Sequence, residues 1–244
     1  MKITIIHGQN HKGSTYHIGK IFLTKYMETA GPGITGEGEN GGTAEVNEFF
    51  LPRDLPHFCL GCFSCIEDDT KCAYFEEKTR IMKEVETSDL LIFTTPTYCM
   101  HASAPMKAFI DLTFNYWMAH RPRKCMFSKK AVVISTAAGA GTKSAIKDIT
   151  TTLLYWGVPY IRTYGIAVQA ASWDQVKDKK KKKIESDMAK LSASVQKAKV
   201  RTGIKTRGVF FLMRMMQKRD MGSSPVEKAY WEKQGWLGKD RPWK

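Results

Sequence analysis

The chain has 244 residues, 43% of them hydrophobic and 11% aromatic, enough to fill one large α/β domain with an appendage or two small domains. Its net charge of +14 is unevenly placed: residues 1–171 hold 18 Lys and Arg against 16 Asp and Glu, and residues 172–244 hold 20 against 8. A near-neutral body with a basic tail argues against a nucleic-acid enzyme with a basic groove, and leaves an anionic partner for the tail open.

Residues 2–7 (Lys-Ile-Thr-Ile-Ile-His) read as a buried parallel strand that Gly8 stops. The chain enters this strand with no signal-peptide pattern and holds no run of about eighteen apolar residues, so a cytoplasmic protein without a membrane-crossing helix is expected. Next comes the polar loop Gln9-Asn10-His11-Lys12-Gly13-Ser14-Thr15. Ile18, Ile21, Phe22 and Tyr26 then recur at helical spacing. Strand, glycine-bounded loop and helix together aim free N–H groups and a helix dipole at one point, which suits a phosphate. The loop is not a Walker A motif, because Ser14 stands where the lysine belongs. An ordinary strand–helix turn capped by Ser14 is the competing reading.

Residues 31–43 read as a surface loop, and 44–50 as a second strand at an edge position, closed by Pro52 and Pro56. The cysteine-bearing segment 57–73 has little periodicity and reads as loop. Residues 76–87 are helical, with Ile81, Met82 and Val85 on one face. A third strand over 89–95 is apolar on both faces, as a central parallel strand is, and Pro96 is expected to end it. A loop with Tyr98, Cys99 and His101 leads to a helix over 104–117. A fourth strand over 131–136 runs into 137–142 and a helix to Tyr155. A fifth strand covers 160–168, a long helix 175–199, and shorter helices 208–219 and 225–237.

Strands alternating with helices predict a doubly wound parallel sheet over residues 1–171, followed by a basic helical extension over 172–244. Ligands of such sheets bind at the carboxyl ends of the strands, near the point where strand order reverses. The loops 8–15, 96–101 and 137–142 should meet there. His101 and His120 are candidate bases by residue type only. Cys59, Cys62, Cys65 and Cys72 lie within fourteen residues, which in a cytosolic chain speaks for a metal or cluster site rather than a disulfide frame.

Four stretches make the chain resemble the flavodoxin-like NAD(P)H-dependent FMN reductases, including the iron–sulfur flavoproteins. They are Gly8 to Thr15; Cys59-Leu60-Gly61-Cys62-Phe63-Ser64-Cys65 with Cys72; Thr95-Pro96-Thr97-Tyr98 with Pro105 to Asp111; and Ser135-Thr136-Ala137-Ala138-Gly139. The resemblance implies a flavodoxin-like five-stranded sheet that binds FMN. Gln9, His11, Gly13, Ser14 and Thr15 would hold the phosphate, with His11 where the family has arginine. Pro96, Thr97, Tyr98, Cys99 and Met100 would line one edge of the ring, and Thr136, Ala137, Ala138 and Gly139 would permit close approach over it. It also implies hydride transfer from NAD(P)H to flavin N5, a small electron acceptor, and a homodimer or higher oligomer. The spacing Cys59-x2-Cys62-x2-Cys65-x6-Cys72 fits the iron–sulfur flavoproteins, where four thiolates hold a [4Fe–4S] cluster in an electron carrier for a protein partner. A cysteine-rich loop at a dimer interface is the other reading.

The lysine run 179–183 reads as a solvated helix face. Residues 208–219 are apolar and cationic together, as in a helix packed on a partner subunit or one lying on an anionic membrane. Packing is the preferred reading, because Trp231 and Trp236 follow as an anchoring arm.

Overall fold

A computed structural model describes residues 1–29, 44–221 and 224–244; the loop expected over 31–43 lies outside the described residues. The elements are β1 (Lys2–His7), α1 (Ser14–Thr29), β2 (Glu45–Phe50), α2 (Ser64–Glu67), α3 (Phe75–Thr87), β3 (Leu90–Tyr98), β4 (His101–Ala102), α4 (Ala104–Leu112), β5 (Lys130–Ala137), α5 (Thr142–Trp156), β6 (Tyr160–Ala167), α6 (Asp178–Lys197), α7 (Ile204–Lys218) and α8 (Pro225–Lys233). The sheet order is β2-β1-β3-β5-β6, all parallel, with the two-residue β4 antiparallel to the end of β3. Strand order therefore reverses between β1 and β3.

The period of two along each strand divides the core between two faces. Ile6, Leu91, Phe93 and Val133 face a layer with α3, α4 and α5, where Met106, Phe109, Leu153 and Trp156 are buried. Ile3, Ile5, Ile92, Val132 and Ile134 face the other way, toward Ile18 and Phe22 of α1 and Ile184 and Met188 of α6. The two-sided apolar reading of the strand over 89–95 holds for this reason.

Several element boundaries differ from expectation, among them the start of α7, at Ile204 and not 208, and the end of α8, at Lys233 and not 237. β3 does not stop at Pro96 but runs on to Tyr98. Its neighbour β1 ends opposite Thr94, so beyond that point a proline removes no ladder bond on that side. α4 ends at Leu112, not near 117: the Thr113 hydroxyl donates back to the Phe109 and Ile110 carbonyls, and a short 3-10 turn follows. The cysteine segment is not all loop, because α2 gives it one helical turn.

The C-terminal helices make a third apolar cluster with residues 118–127. Met118, Phe127, Phe210, Met213, Trp231 and Trp236 are all buried in it. Polar bonds hold the same contact: Trp231 Nε1 donates to the His120 carbonyl at 2.7 Å, and the Tyr230 hydroxyl to that of Pro122 at 2.6 Å. Gln217 donates to the Ala119 carbonyl at 2.9 Å. Trp231 and Trp236 thus anchor the extension onto its own chain.

Gly157 closes α5 in the left-handed region (φ 97°), and a Cβ there would stand 2.5 Å from the Phe127 ring. Conformation and space both demand glycine. Gly157→Ala should lower stability by about 1–3 kcal/mol in urea unfolding; a loss below about 0.5 kcal/mol would contradict this packing.

Candidate functional site

The three expected loops converge on one rim of the sheet. Thr15, at the start of α1, hydrogen-bonds through its hydroxyl to that of Thr136 near the end of β5. Gly8 donates its N–H to the Thr94 carbonyl at 2.7 Å and accepts from the Ser103 hydroxyl at 2.5 Å. Thr97 and Ser135 share a hydroxyl–hydroxyl bond of 2.9 Å. A Cβ on Gly141 would lie 2.8 Å from Met100 Sδ and 2.9 Å from a Thr97 methyl, so the loop after β5 presses on the end of β3.

At the first loop, Gln9, His11, Gly13, Thr15 and Pro96 line a recess together with His7, Tyr16 and Thr94. Among the described residues, the backbone N–H groups of Ser14, Thr15 and Tyr16 donate to no protein acceptor, while that of His17 already bonds to the Gly13 carbonyl. Free N–H groups at a helix start beside a recess are what an anion needs. Ser14 is half-buried at the first turn of α1.

At the end of β3 the chain turns back through Cys99 (φ 47°) and Met100 (φ 68°), with Tyr98 paired to His101. A two-residue hairpin of type I′ has left-handed backbone at both tip residues, and asparagine or glycine usually supplies it. Two ordinary residues here cost of order 1–3 kcal/mol each. The turn presents Tyr98, 45% exposed, and Met100, 55% exposed, to solvent beside the loop after β5. Thr136 and Ala137 are buried strand residues, whereas Ala138 and Gly139 are exposed. A Cβ on Gly139 would meet nothing within 4 Å, so this loop leaves open space above it.

Sequence reasoning passed over the polar centre of this rim. His7, buried at the end of β1, bonds Thr94 Oγ1 through Nδ1 at 2.9 Å and Glu48 Oε2 through Nε2 at 3.0 Å. Lys20 Nζ stands 2.7 Å from the other Glu48 oxygen. The His7 bond, seconded by Lys20, pulls the Glu48 carboxyl down to about 2, against the upward push of burial. A titratable residue closing the first strand was the available signal. His101 and His120 instead pair with Asp148 at 3.2 Å and Glu227 at 2.6 Å.

Cys59, Cys62, Cys65 and Cys72 line a second recess with Tyr74, Leu112 and Phe114 as apolar walls. None is in a disulfide. Gly61 (φ 66°) and Phe63 (φ 58°) wind the loop through left-handed backbone. Arg121 donates to the Cys65 carbonyl, and buried Lys78 holds Asp69 at 2.6 Å, which ties the segment to the body. Hydrogen bonds from Ser64 pull the Cys62 thiol down, whereas burial pushes that of Cys65 up. Among the described residues, no three His, Cys, Asp or Glu are grouped to hold a single metal ion.

The lowered Glu48 carboxyl contributes stability that is full above the ordinary value of 4.5 and is lost as pH falls toward 2. Glu48→Gln should therefore cost up to about 3 kcal/mol at pH 7, and the difference from the parent should be clearly smaller at about pH 3, inside the window from 4.5 to 2. Urea unfolding at both pH values checks this; a deficit independent of pH would contradict it.

Known proteins bear on this rim and on the cysteines. Residues 1–172 match the family described as NADPH-dependent FMN reductase. An iron–sulfur flavoprotein of Archaeoglobus fulgidus is 29% identical over 123 residues, 50% of this chain and 53% of that protein. An iron–sulfur flavoprotein of Clostridioides difficile is 26% identical over 155 residues, 63% of this chain and 62% of that protein. The chain thus spans between half and two thirds of the length of these relatives. Among solved structures, an FMN-dependent NADH-azoreductase from Bacillus anthracis in complex with FMN aligns at TM-score 0.56 and 13% identity, covering 79% of this chain and all of that one. An NAD(P)H:quinone oxidoreductase from Methanothermobacter marburgensis aligns at 0.57 and 15%, covering 78% and 96%. At that identity the likeness is one of fold, and it agrees with the strand order. On the match over residues 1–172, the chain belongs to the NADPH-dependent FMN reductase family.

Proposed function

We propose that the chain binds FMN at the rim between β1, β3 and β5 and works as an NAD(P)H oxidoreductase that hands electrons to a small acceptor such as a flavin or quinone. The observation that carries this reading is the mutual contact of the three loops through Thr15 and Thr136, Gly8 and Ser103, and Met100 and Gly141. FMN supplies the hydride and electron chemistry when bound. The chain's own part is to bind and orient it. The free N–H groups of Ser14, Thr15 and Tyr16 would take the phosphate, with Gln9, His11 and Gly13 around it. Pro96 to Met100 would hold one edge of the flat ring, and Thr136 to Gly139 would leave room over it. His7 and Glu48, locked to each other and to Lys20 and Thr94, fix the floor of the phosphate recess.

A second reading adds a [4Fe–4S] cluster on Cys59, Cys62, Cys65 and Cys72. What supports it is that all four cysteines line one recess with apolar walls, and that the two relatives above carry the name iron–sulfur flavoprotein. Four thiolates are the usual donor set of such a cluster, which would supply one-electron transfer. Gly61 and Phe63 shape the loop that would wrap it. On this reading the chain serves a protein partner as an electron carrier.

Ser14→Asp separates phosphate binding from folding. An acidic residue in the first helical turn favours the helix, so thermal stability should be kept or slightly raised. The same charge would face the flavin phosphate, and FMN affinity should fall at least about tenfold by fluorescence titration, with riboflavin little changed. Equal losses for both ligands would contradict the phosphate assignment. For the second reading, anaerobic preparation should give about four irons and matching sulfide per chain, lost in Cys65→Ser; protein free of iron after anaerobic reconstitution would contradict it.

A further inference from the structure

The helix α7 carries two apolar faces, and only one of them has a partner. Thr206, Phe210, Met213 and Gln217 recur at helical spacing and are buried against the body. The opposite face is equally apolar and open to solvent: Ile204 is 91% exposed, Leu212 49%, Phe211 43% and Met215 39%, with Gly208 completing the stripe and Met221 (53%) just beyond the helix. Isolated exposed apolar residues need no explanation, but an aligned stripe of this kind does.

Cations border the stripe on both sides. Arg207 and Lys218 fall along one edge by helical spacing, Lys205 and Arg219 along the other, and all are exposed. None of these has a carboxylate partner among the described residues. Arg207 lies over the Trp243 ring at 5.6 Å, and Arg241 over Phe211 at 5.2 Å, which adds aromatic and cationic groups to the same border. Asp187 and Asp220 are the nearest acids on either side, so residues 188–219 contain no Asp or Glu but carry Lys190, Lys197, Lys199, Arg201, Lys205, Arg207, Arg214, Lys218 and Arg219.

We propose that the outer face of α7 docks this protein onto an anionic lipid surface. Insertion of Ile204, Phe211, Leu212 and Met215 to the headgroup boundary would bury the stripe, and the flanking cations would meet lipid phosphates. Charge decides against a second copy as the occupant. Two such stripes packed face to face would bring Lys205, Arg207, Lys218 and Arg219 of both copies together with no acid in the segment to offset them. An anionic surface satisfies the apolar and the cationic parts at once. The attachment is peripheral, since no described helix is long and apolar enough to cross a membrane.

The test is co-sedimentation of the full chain with phosphatidylcholine vesicles, with and without about 30% phosphatidylglycerol, at low salt and in ~0.5 M NaCl. Binding is expected to the anionic vesicles only, and to weaken in salt. Leu212→Ser with Met215→Ser, and separately Lys205→Glu with Lys218→Glu, should each lower binding at least about tenfold while the melting temperature and the mass in solution stay as in the parent. Absence of binding by the parent, equal binding to neutral vesicles, or binding unchanged in both variants would overturn the proposal. So would a fall in oligomeric mass in the serine variant, because the stripe would then be covered by another protein surface.

Discussion

Gly8 is clamped between β3 and the residue that precedes α4, and the candidate site depends on that clamp. Its N–H is bonded to the Thr94 carbonyl and its carbonyl to the Ser103 hydroxyl, so the chain leaving β1 is held to β3 on one side and to the start of α4 on the other. There is no room for a side chain: a Cβ would stand 2.7 Å from Ser103 Oγ and 3.1 Å from the Thr94 carbonyl oxygen. Because the strand order reverses at this pair, the loops diverge just beyond the clamp and open the recess between them. The start of α1 is then directed into that recess, and Thr15 reaches across to Thr136 on the far side. One close backbone approach sets the spacing of all three loops.

Much of this was legible in the sequence because the signals were local. Apolar runs marked β1, β3 and β5 as strands, β3 as one covered on both faces, and the glycine- and hydroxyl-bearing loops after them stood out from ordinary connectors. What was not legible depends on partners distant in the chain. His7 meets Glu48 only because β1 and β2 lie side by side in a register that puts His7 opposite Phe50. The tryptophans of the tail gave no indication of which surface they would cover, and that surface proved to be residues 118–127 of the same chain. The hairpin at Cys99 and Met100 was hidden for another reason. Its backbone is left-handed without the glycine or asparagine by which such turns are recognised.

Three of the five described non-glycine residues at positive φ lie where chemistry is proposed; Gln169 and Asp220 are the other two. Cys99 and Met100 sit at the edge of the rim, and Phe63 in the cysteine loop, all at positive φ that their side chains disfavour. Neighbouring contacts hold them there: Gly141 against Met100 at the first place, and the Arg121 bond to the Cys65 carbonyl at the second. The buried Lys78–Asp69 pair fixes the end of the cysteine segment in the same way. Apolar layers on both sides of the sheet and a third cluster under the tail offset such local costs.

The most direct measurement follows backbone amide resonances of the 15N-labelled protein as FMN is added. A single slot predicts saturable shifts at one stoichiometric equivalent, grouped in residues 9–16, 97–100 and 136–141 together. Shifts confined to one of these loops, or gathered away from the β1–β3 rim, would contradict the account.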